Sequence, residues 1–556
     1  MLVLAICCMS LFIVGLDSTI VNVALPSIGR ELHSSVSGLQ WIIDAYTLVL
    51  ASLLMFSGAT ADRIGRRRTF QAGLSVFTVG SLLCSLAPGL GWLIVFRMVQ
   101  AMGGSMLNPV AMSIITNTFT DRRERARAIG VWGGVFGLSM ALGPVVGGVL
   151  VDSAGWRSIF WVNIPVGMAA IVLAALFVPE SKAERARRPD PVGQVLLIVL
   201  LASLTYAIIE GPAAGWGSAI IISLFAVTAA ALAVFVRYES RREDPLLDPR
   251  FFRSAPFSGA TIIAVAITAA LGGFLFLNTL YLQDVRGFRA LTAGLYLLPL
   301  ALAMAAASPL AGRIVASRGA RIPMVVSGIA LIVSGMLLTM LTETSGTGFL
   351  FPSYVIFGLG LGLVNAPITN SAVSGMPRQQ AGVAAGVASA SRQVGQSLGV
   401  AVMGSILSGG LRGGLQGGLR AGFVAASRPG WWIVAACGAV TLILALVTTG
   451  SWAQRTAART AELLSPDDER APVSVPGPFP PPSPRPPPPP EAWPPPEAWP
   501  PPEAWPPPEA WPPPGAAWPP RLVAPPPNWR RRPGRACGPW CSTATTAARR
   551  CATRSA

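Results

Sequence analysis

GATADRIGRRRTF, residues 58–70, sets one aspartate and four arginines between two long runs that are otherwise almost free of charge. Charge of that density is costly inside hydrocarbon, so the stretch reads as a tight connection between two membrane spans rather than as part of either. Apolar runs on both sides recur up to about residue 450, each roughly 20 residues long and able to cross a bilayer core of about 30 Å as a helix. Lipid offers the backbone no hydrogen-bond partners, so these spans must be helical. The composition agrees, with 52% of 556 residues hydrophobic and 12% charged and a mean hydropathy of +0.56.

The net charge of +17 does not point to nucleic acid, because the basic residues occupy short loops and the far C-terminus instead of one soluble face. Hydropathy gives about fourteen spans. In that count Arg63–Arg68, Arg122–Arg127, Lys182–Arg188, Arg237–Arg253 and Arg313–Arg321 fall in alternate loops, all on one side, which the positive-inside rule assigns to the cytoplasm together with both termini. Arg286, Arg289, Arg412, Arg420 and Arg428 run against this pattern locally. Cys7, Cys8, Cys84 and Cys437 lie in apolar runs and Cys537, Cys541 and Cys551 in the tail, none in C-x-x-C spacing, so no metal or redox site is expected. The N-terminus MLVLAICCMSLFIVG lacks the basic start and the cleavage site of a signal peptide and continues into a spanning helix. With Met1 at the helix edge, a short cytoplasmic leader is expected upstream.

GATADRIGRR has a counterpart in GRIVASRGAR, where Gly312 and Gly319 repeat the spacing of Gly58 and Gly65 while Ala316 stands at the place of Asp62. An internal repeat of this kind suggests two six-helix bundles, over residues 1–178 and 257–450, with two additional helices in 179–256. Residues 451–556 are expected to form a disordered, Pro-rich and basic cytoplasmic tail. Its repeat PPPEAWPPPEAWPPPEAW favours extended polyproline II and cannot build a core. A weak partner of the SH3 or WW kind is the one protein contact that repeat offers.

Four ordered motifs carry a resemblance to a known family. LDSTIVNVALP (16–26) contains Asp17 and Asn22; the opening stretch contributes Gly58, Asp62, Arg63, Gly65, Arg66 and Arg67; RMVQAMGGS (97–105) contains Arg97 and Gln100; and LGPVVGG (142–148) contains Gly143, Pro144, Gly147 and Gly148. WRSIFWVNIPVG (156–167) follows in order. The chain resembles the major facilitator superfamily, and within it the fourteen-helix drug:proton antiporters of the EmrB/QacA type, over most of residues 10–405. Ala101 stands where the family usually has glycine. The resemblance implies a proton-coupling role for Asp17 and Arg97. It also implies a cytoplasmic latch in which Asp62 meets an arginine or a helix N-terminus of the opposite half, and an exporter signature at LGPVVGG.

The residues add their own candidates. Asp44 in QWIIDAYTL lies in the second span, where a carboxylate either exchanges protons or sits near enough to the interface to stay hydrated; both readings are open at this point. Trp41, Tyr46, Asn278, Asn365 and Arg392 are cavity candidates beside Asn22 and Gln100. Glu210 is expected at the interface. His33, the only histidine, lies in a short polar loop and reads as structural, and no Walker loop supports direct use of ATP. The chain is therefore expected to be a monomeric, multi-pass transporter of the inner membrane and not an enzyme. It is expected to use the proton gradient without a cofactor, to export small amphipathic or hydrophobic compounds by alternating access, and to contact lipid, solute and protons but no nucleic acid. The alternatives are a specific exporter of an antibiotic or siderophore made by the host, or a non-transporting sensor or scaffold.

Overall fold

A computed structural model describes residues 1–182, 190–242, 245–376, 380–413 and 418–464; the Pro/Trp repeat and the three tail cysteines lie outside them. Among the described residues every regular element is helical. The first half comprises α1 (Leu2–Glu31), α2 (Val36–Ile64), α3 (Arg66–Ser85), α4 (Leu90–Thr118), α5 (Arg122–Ala154), the short α6 (Ser158–Trp161) and α7 (Asn163–Phe177). A pair, α8 (Pro191–Ala214) and α9 (Ala219–Glu239), follows. The second half contains α10 (Ala255–Leu280), α11 (Ala290–Tyr296), α12 (Leu298–Arg318), α13 (Arg321–Thr339), α14 (Thr347–Val373), α15 (Ala381–Gly413) and α16 (Gly418–Thr448).

Among the described residues, 13 helices are long and apolar enough to cross a membrane. The expected third span is α3, a helix of 20 residues that opens on three arginines and falls short on hydropathy. The last helix, α17 (Ser451–Leu464), occupies residues expected to begin the tail. It buries Ala453, Ala457, Thr460 and Leu464, and Thr456 Oγ1 accepts the Ala255 backbone N–H at 3.0 Å.

Side chains set several helix starts. Asp121 Oδ1 accepts the N–H groups of Arg123 and Glu124, each at 2.9 Å, and Asp190 Oδ1 accepts that of Gly193 at 2.9 Å, with proline at the first helical position. The two repeat glycines mark equivalent turns. Gly65 has φ 129° and Gly319 φ 79°, conformations that side-chain-bearing residues adopt only with strain.

Among the described residues, the halves share an apolar cluster at one end only. Away from the arginine-rich loops, Leu16, Ile20, Ile42 and Val151 of the first half share one apolar cluster with Phe274, Tyr281, Ala290 and Tyr354 of the second. Toward those loops, Leu4, Leu54, Phe70, Ile115 and Ala128 form a separate cluster drawn from the first half alone. Glycines report the same divergence. A Cβ on Gly148 of α5 would stand 2.5 Å from Leu291 Cα, and one on Gly404 of α15 would stand 2.2 Å from the Gln40 side chain. Five turns nearer the arginine loops on the same helix faces, Gly130 and Gly386 have nothing within 4 Å. A cleft therefore opens at the arginine-loop end, and the opposite end is closed.

Candidate functional site

Five helices deliver polar side chains to one point inside the first half. Asp17 of α1 is fully buried and Arg97 of α4 is 2% exposed. Arg97 Nη1 donates to Asp17 Oδ2 at 2.6 Å and to Gln100 Oε1 at 2.7 Å. Gln100 Nε2 in turn donates to Asp17 Oδ1 at 2.9 Å, closing a ring of three residues. Asn163, at the start of α7, donates a further bond to Asp17 Oδ1 at 3.1 Å. Ser81 of α3 accepts from both amides, at 3.3 Å from Gln100 and 3.0 Å from Asn163. The guanidinium also donates to the Ile42 carbonyl at 3.3 Å and stands 4.0 Å from the centre of the Tyr46 ring.

This arrangement satisfies what a membrane interior demands of ions. Asp17 accepts three bonds from side chains, two of them from neutral amides, and Arg97 has an anion, two further acceptors and a ring face. The pair is neutral as a unit. Removing either charge would strand the other in a low-dielectric site.

Asp44, on the α2 face that meets α15, is the opposite case. It is fully buried, and neither carboxylate oxygen has a hydrogen-bond partner. The nearby hydroxyls are Thr47 and Ser397; Thr47 Oγ1 donates instead to the Ile43 and Asp44 carbonyls at 3.2 and 3.3 Å, and Ser397 Oγ is itself without a partner. One turn away, Gln40 Nε2 donates to the Val400 and Ala401 carbonyls of α15 at 3.2 and 2.7 Å. Asp44 thus sits in the seam between the halves.

The glycines of LGPVVGG fit α1 and the second half. A Cβ on Gly143 would reach 1.9 Å from Thr19 Oγ1, one on Gly147 would reach 2.7 Å from Ile20, and one on Gly294 of α11 would reach 2.2 Å from the Pro144 carbonyl. In the loop motif, Asp62 pairs with Arg66 at 3.0 Å four residues on, inside its own half, and among the described residues it forms no ion pair with the opposite half. Arg67 donates to the Val178 carbonyl at 3.4 Å, while a Cβ on Gly58 would stand 3.8 Å from Pro109 Cβ. Arg63 makes no ion pair among the described residues.

The remaining candidates scatter. Asn22 turns onto its own helix, donating to the Ser18 carbonyl at 3.3 Å. Trp41 donates to Glu210 at 3.0 Å and packs at a tilt against the Tyr206 ring of α8, so it ties the additional pair to α2. Asn278 accepts from the Tyr354 hydroxyl at 2.6 Å. Asn365 is exposed and donates to the Leu361 carbonyl at 3.4 Å. Arg392 is partly buried, with no carboxylate partner among the described residues.

Sequence reasoning missed Asn163, Ser81 and Glu180. Asn163 sits in a stretch that was singled out, WRSIFWVNIPVG, but nothing in the spacing distinguishes it. Glu180 accepts the Arg67 and Arg68 N–H groups at 3.0 and 3.3 Å and so caps α3. A Cβ on Gly65 would stand 2.6 Å from Glu180 Oε1, a second reason for glycine there.

Comparison with known proteins places this architecture. The multidrug resistance protein Stp of Mycobacterium tuberculosis is 38% identical over 377 residues, 68% of this chain and 70% of that one. The tetracenomycin C resistance and export protein of Streptomyces glaucescens is 37% identical over 372 residues, 67% of this chain and 69% of that one. The methylenomycin A resistance protein of Streptomyces coelicolor is 34% identical over 373 residues, 66% of this chain and 78% of that one. A bacterial homologue of the human lysosomal transporter Spinster, solved in an inward-facing and unoccupied conformation, has the same fold, with a TM-score of 0.58 at 18% identity over 82% of this chain and 97% of that one. The model of the Major Facilitator Superfamily matches residues 7–400, a range that takes in the buried Asp17–Arg97 ring, the glycine seam and Asp44, and the chain belongs to that superfamily.

Proposed function

We propose that protons moving inward drive this efflux transporter to export small amphipathic or hydrophobic compounds, through alternation between a state open at the arginine-loop end and one open at the opposite end. The observation that carries the reading is the one-ended junction of the two halves, with an unpartnered carboxyl lodged in its seam. The positive-inside rule puts the open end, and with it both termini, in the cytoplasm of a cell whose plasma membrane holds the protein. Solute enters the cleft from there.

Asp44 is the proton carrier in this scheme. An unpaired buried carboxylate is expensive, and a proton removes that expense while α2 and α15 are in contact. Opening the seam wets Asp44 and lets it take a proton from the outside; once the seam has closed, solute entering the cleft displaces that proton to the cytoplasm, so one proton moves inward per cycle. Asp17, already supplied with three donors, holds Arg97 in place and keeps α1, α3, α4 and α7 registered around the path. The pH gradient supplies the energy, no cofactor enters the cycle, and a single chain contains the whole path.

Transport in membrane vesicles tests this. An imposed pH gradient should drive efflux by the parent protein and not by Asp44→Asn. Undiminished gradient-driven efflux in that variant would remove Asp44 from the cycle. A narrower range, one antibiotic or a few, is favoured by the relatives named for tetracenomycin and methylenomycin resistance; susceptibility profiles of a pump-deficient host expressing the chain separate the two ranges.

A further inference from the structure

The closed end contains a contact that the four motifs do not include. Asp152, near the C-terminus of α5, reaches across to the other half, where its carboxylate accepts the backbone N–H of Ala290 at 3.2 Å and that of Leu291 at 3.1 Å. These are first-turn donors of the span Ala290–Arg318, which have no acceptor within their own helix. A carboxylate there also meets the positive end of the helix dipole. One turn earlier, Gly148 leaves no room for a Cβ against Leu291 Cα at 2.5 Å, so α5 lies close enough for the carboxylate to reach.

The other ties across the closed end differ in kind. Gln283 Nε2 donates to the Val23 carbonyl at 2.8 Å, and Gln40 serves α15 in the same way; both are neutral. Arg30 and Asp284 form an ion pair at 3.5 Å whose side chains are 64% and 45% exposed, a setting in which such pairs contribute little. At the open end, Asp62 forms no ion pair with the opposite half among the described residues and is held by Arg66 instead.

We propose that Asp152 is the lock of the closed end, a positioning residue whose carboxylate caps the first turn of α11 in this state and must release it before that end can open. It does at this end what Asp62 was expected to do at the other, so the two acids would engage in turn. The inference rests on the alternating-access reading above. Asp152 itself is exposed, which sets its contribution at that of an ordinary helix cap, a several-fold bias and not an absolute block.

The experiment reads sidedness and needs no solute. Ala141 lies three turns below Asp152 on the same face of α5, inside the closed end. With the native cysteines replaced by alanine and Ala141→Cys introduced, membrane vesicles of each orientation are treated with a membrane-impermeant maleimide. The parent should label mainly from the arginine-loop side. Asp152→Ala should raise labelling from the opposite side about fivefold relative to the parent, the factor expected for loss of one helix cap of about 1 kcal/mol. Asp152→Asn, which keeps the shape and one neutral acceptor, should give a smaller rise and covers the case in which the alanine variant does not fold. An unchanged ratio in folded Asp152→Asn and Asp152→Ala overturns the lock alone. Equal labelling from both sides in the parent overturns the one-ended closure, and the lock with it.

Discussion

Two buried aspartates, one on α1 and one on α2, live under opposite rules. Asp17 is fully partnered: Arg97, Gln100 and Asn163 all donate to it. Asp44 has neither oxygen bonded, although both residues are entirely shielded from solvent. Burial alone therefore does not make an acid a proton carrier. The difference lies in what else the fold supplies: the first half closes a complete shell around Asp17, while Asp44 looks across a seam at a hydroxyl that belongs to the other half. A group whose surroundings change when the halves part is placed to link protonation to motion.

The comparison predicts a graded set of outcomes. Asp17→Ala should cost most, about 3–5 kcal/mol, because it strands a buried guanidinium; thermal unfolding of the detergent-solubilised protein measures it. Combining Asp17→Asn with Arg97→Gln should recover more than half of that loss, since both charges then disappear together, and failure to recover would mean that the ring's value lies outside the ion pair. Asn163→Ala removes one of three donors from an ionised acceptor and should cost about 2 kcal/mol, with transport reduced but still driven by the gradient. Asp44→Asn should change stability least, by under about 1.5 kcal/mol for a near-isosteric swap, yet abolish coupling to the pH gradient. A large stability loss there would make Asp44 structural and erase the distinction.

Much of this was legible in advance, and the remainder was hidden for physical reasons. Hydropathy finds the helices because lipid dictates their length and composition, and α3 is the least apolar of the expected spans because its first turn is arginine and the rest mixes glycine with hydroxyls. Asp17 and Arg97 each stood out as charges in apolar runs. That they pair could not be read, since 80 positions separate them and only packing brings α1 to α4. Asn163 and Ser81 are polar residues of ordinary frequency whose role depends wholly on which helix faces meet. Trp41 read as a cavity residue, but the α8–α9 pair, which has no counterpart in the twofold repeat, takes it instead. Asp62 finds a cation in its own half, four residues on, a partner that stays available whenever the halves are apart. The helix at 451–464 was obscured by the proline repeat that follows, although Ala453, Ala457, Thr460 and Leu464 recur at helical spacing.

The most direct test of the division of labour is proton release by the solubilised protein, read with a pH indicator in weak buffer, on addition of a compound to which the chain confers resistance. The parent protein and Asn163→Ala should each release a proton as solute binds, and Asp44→Asn should release none while still binding. Release from Asp44→Asn equal to that of the parent would contradict the assignment and move the proton to another group, with Asp17 the first to be examined.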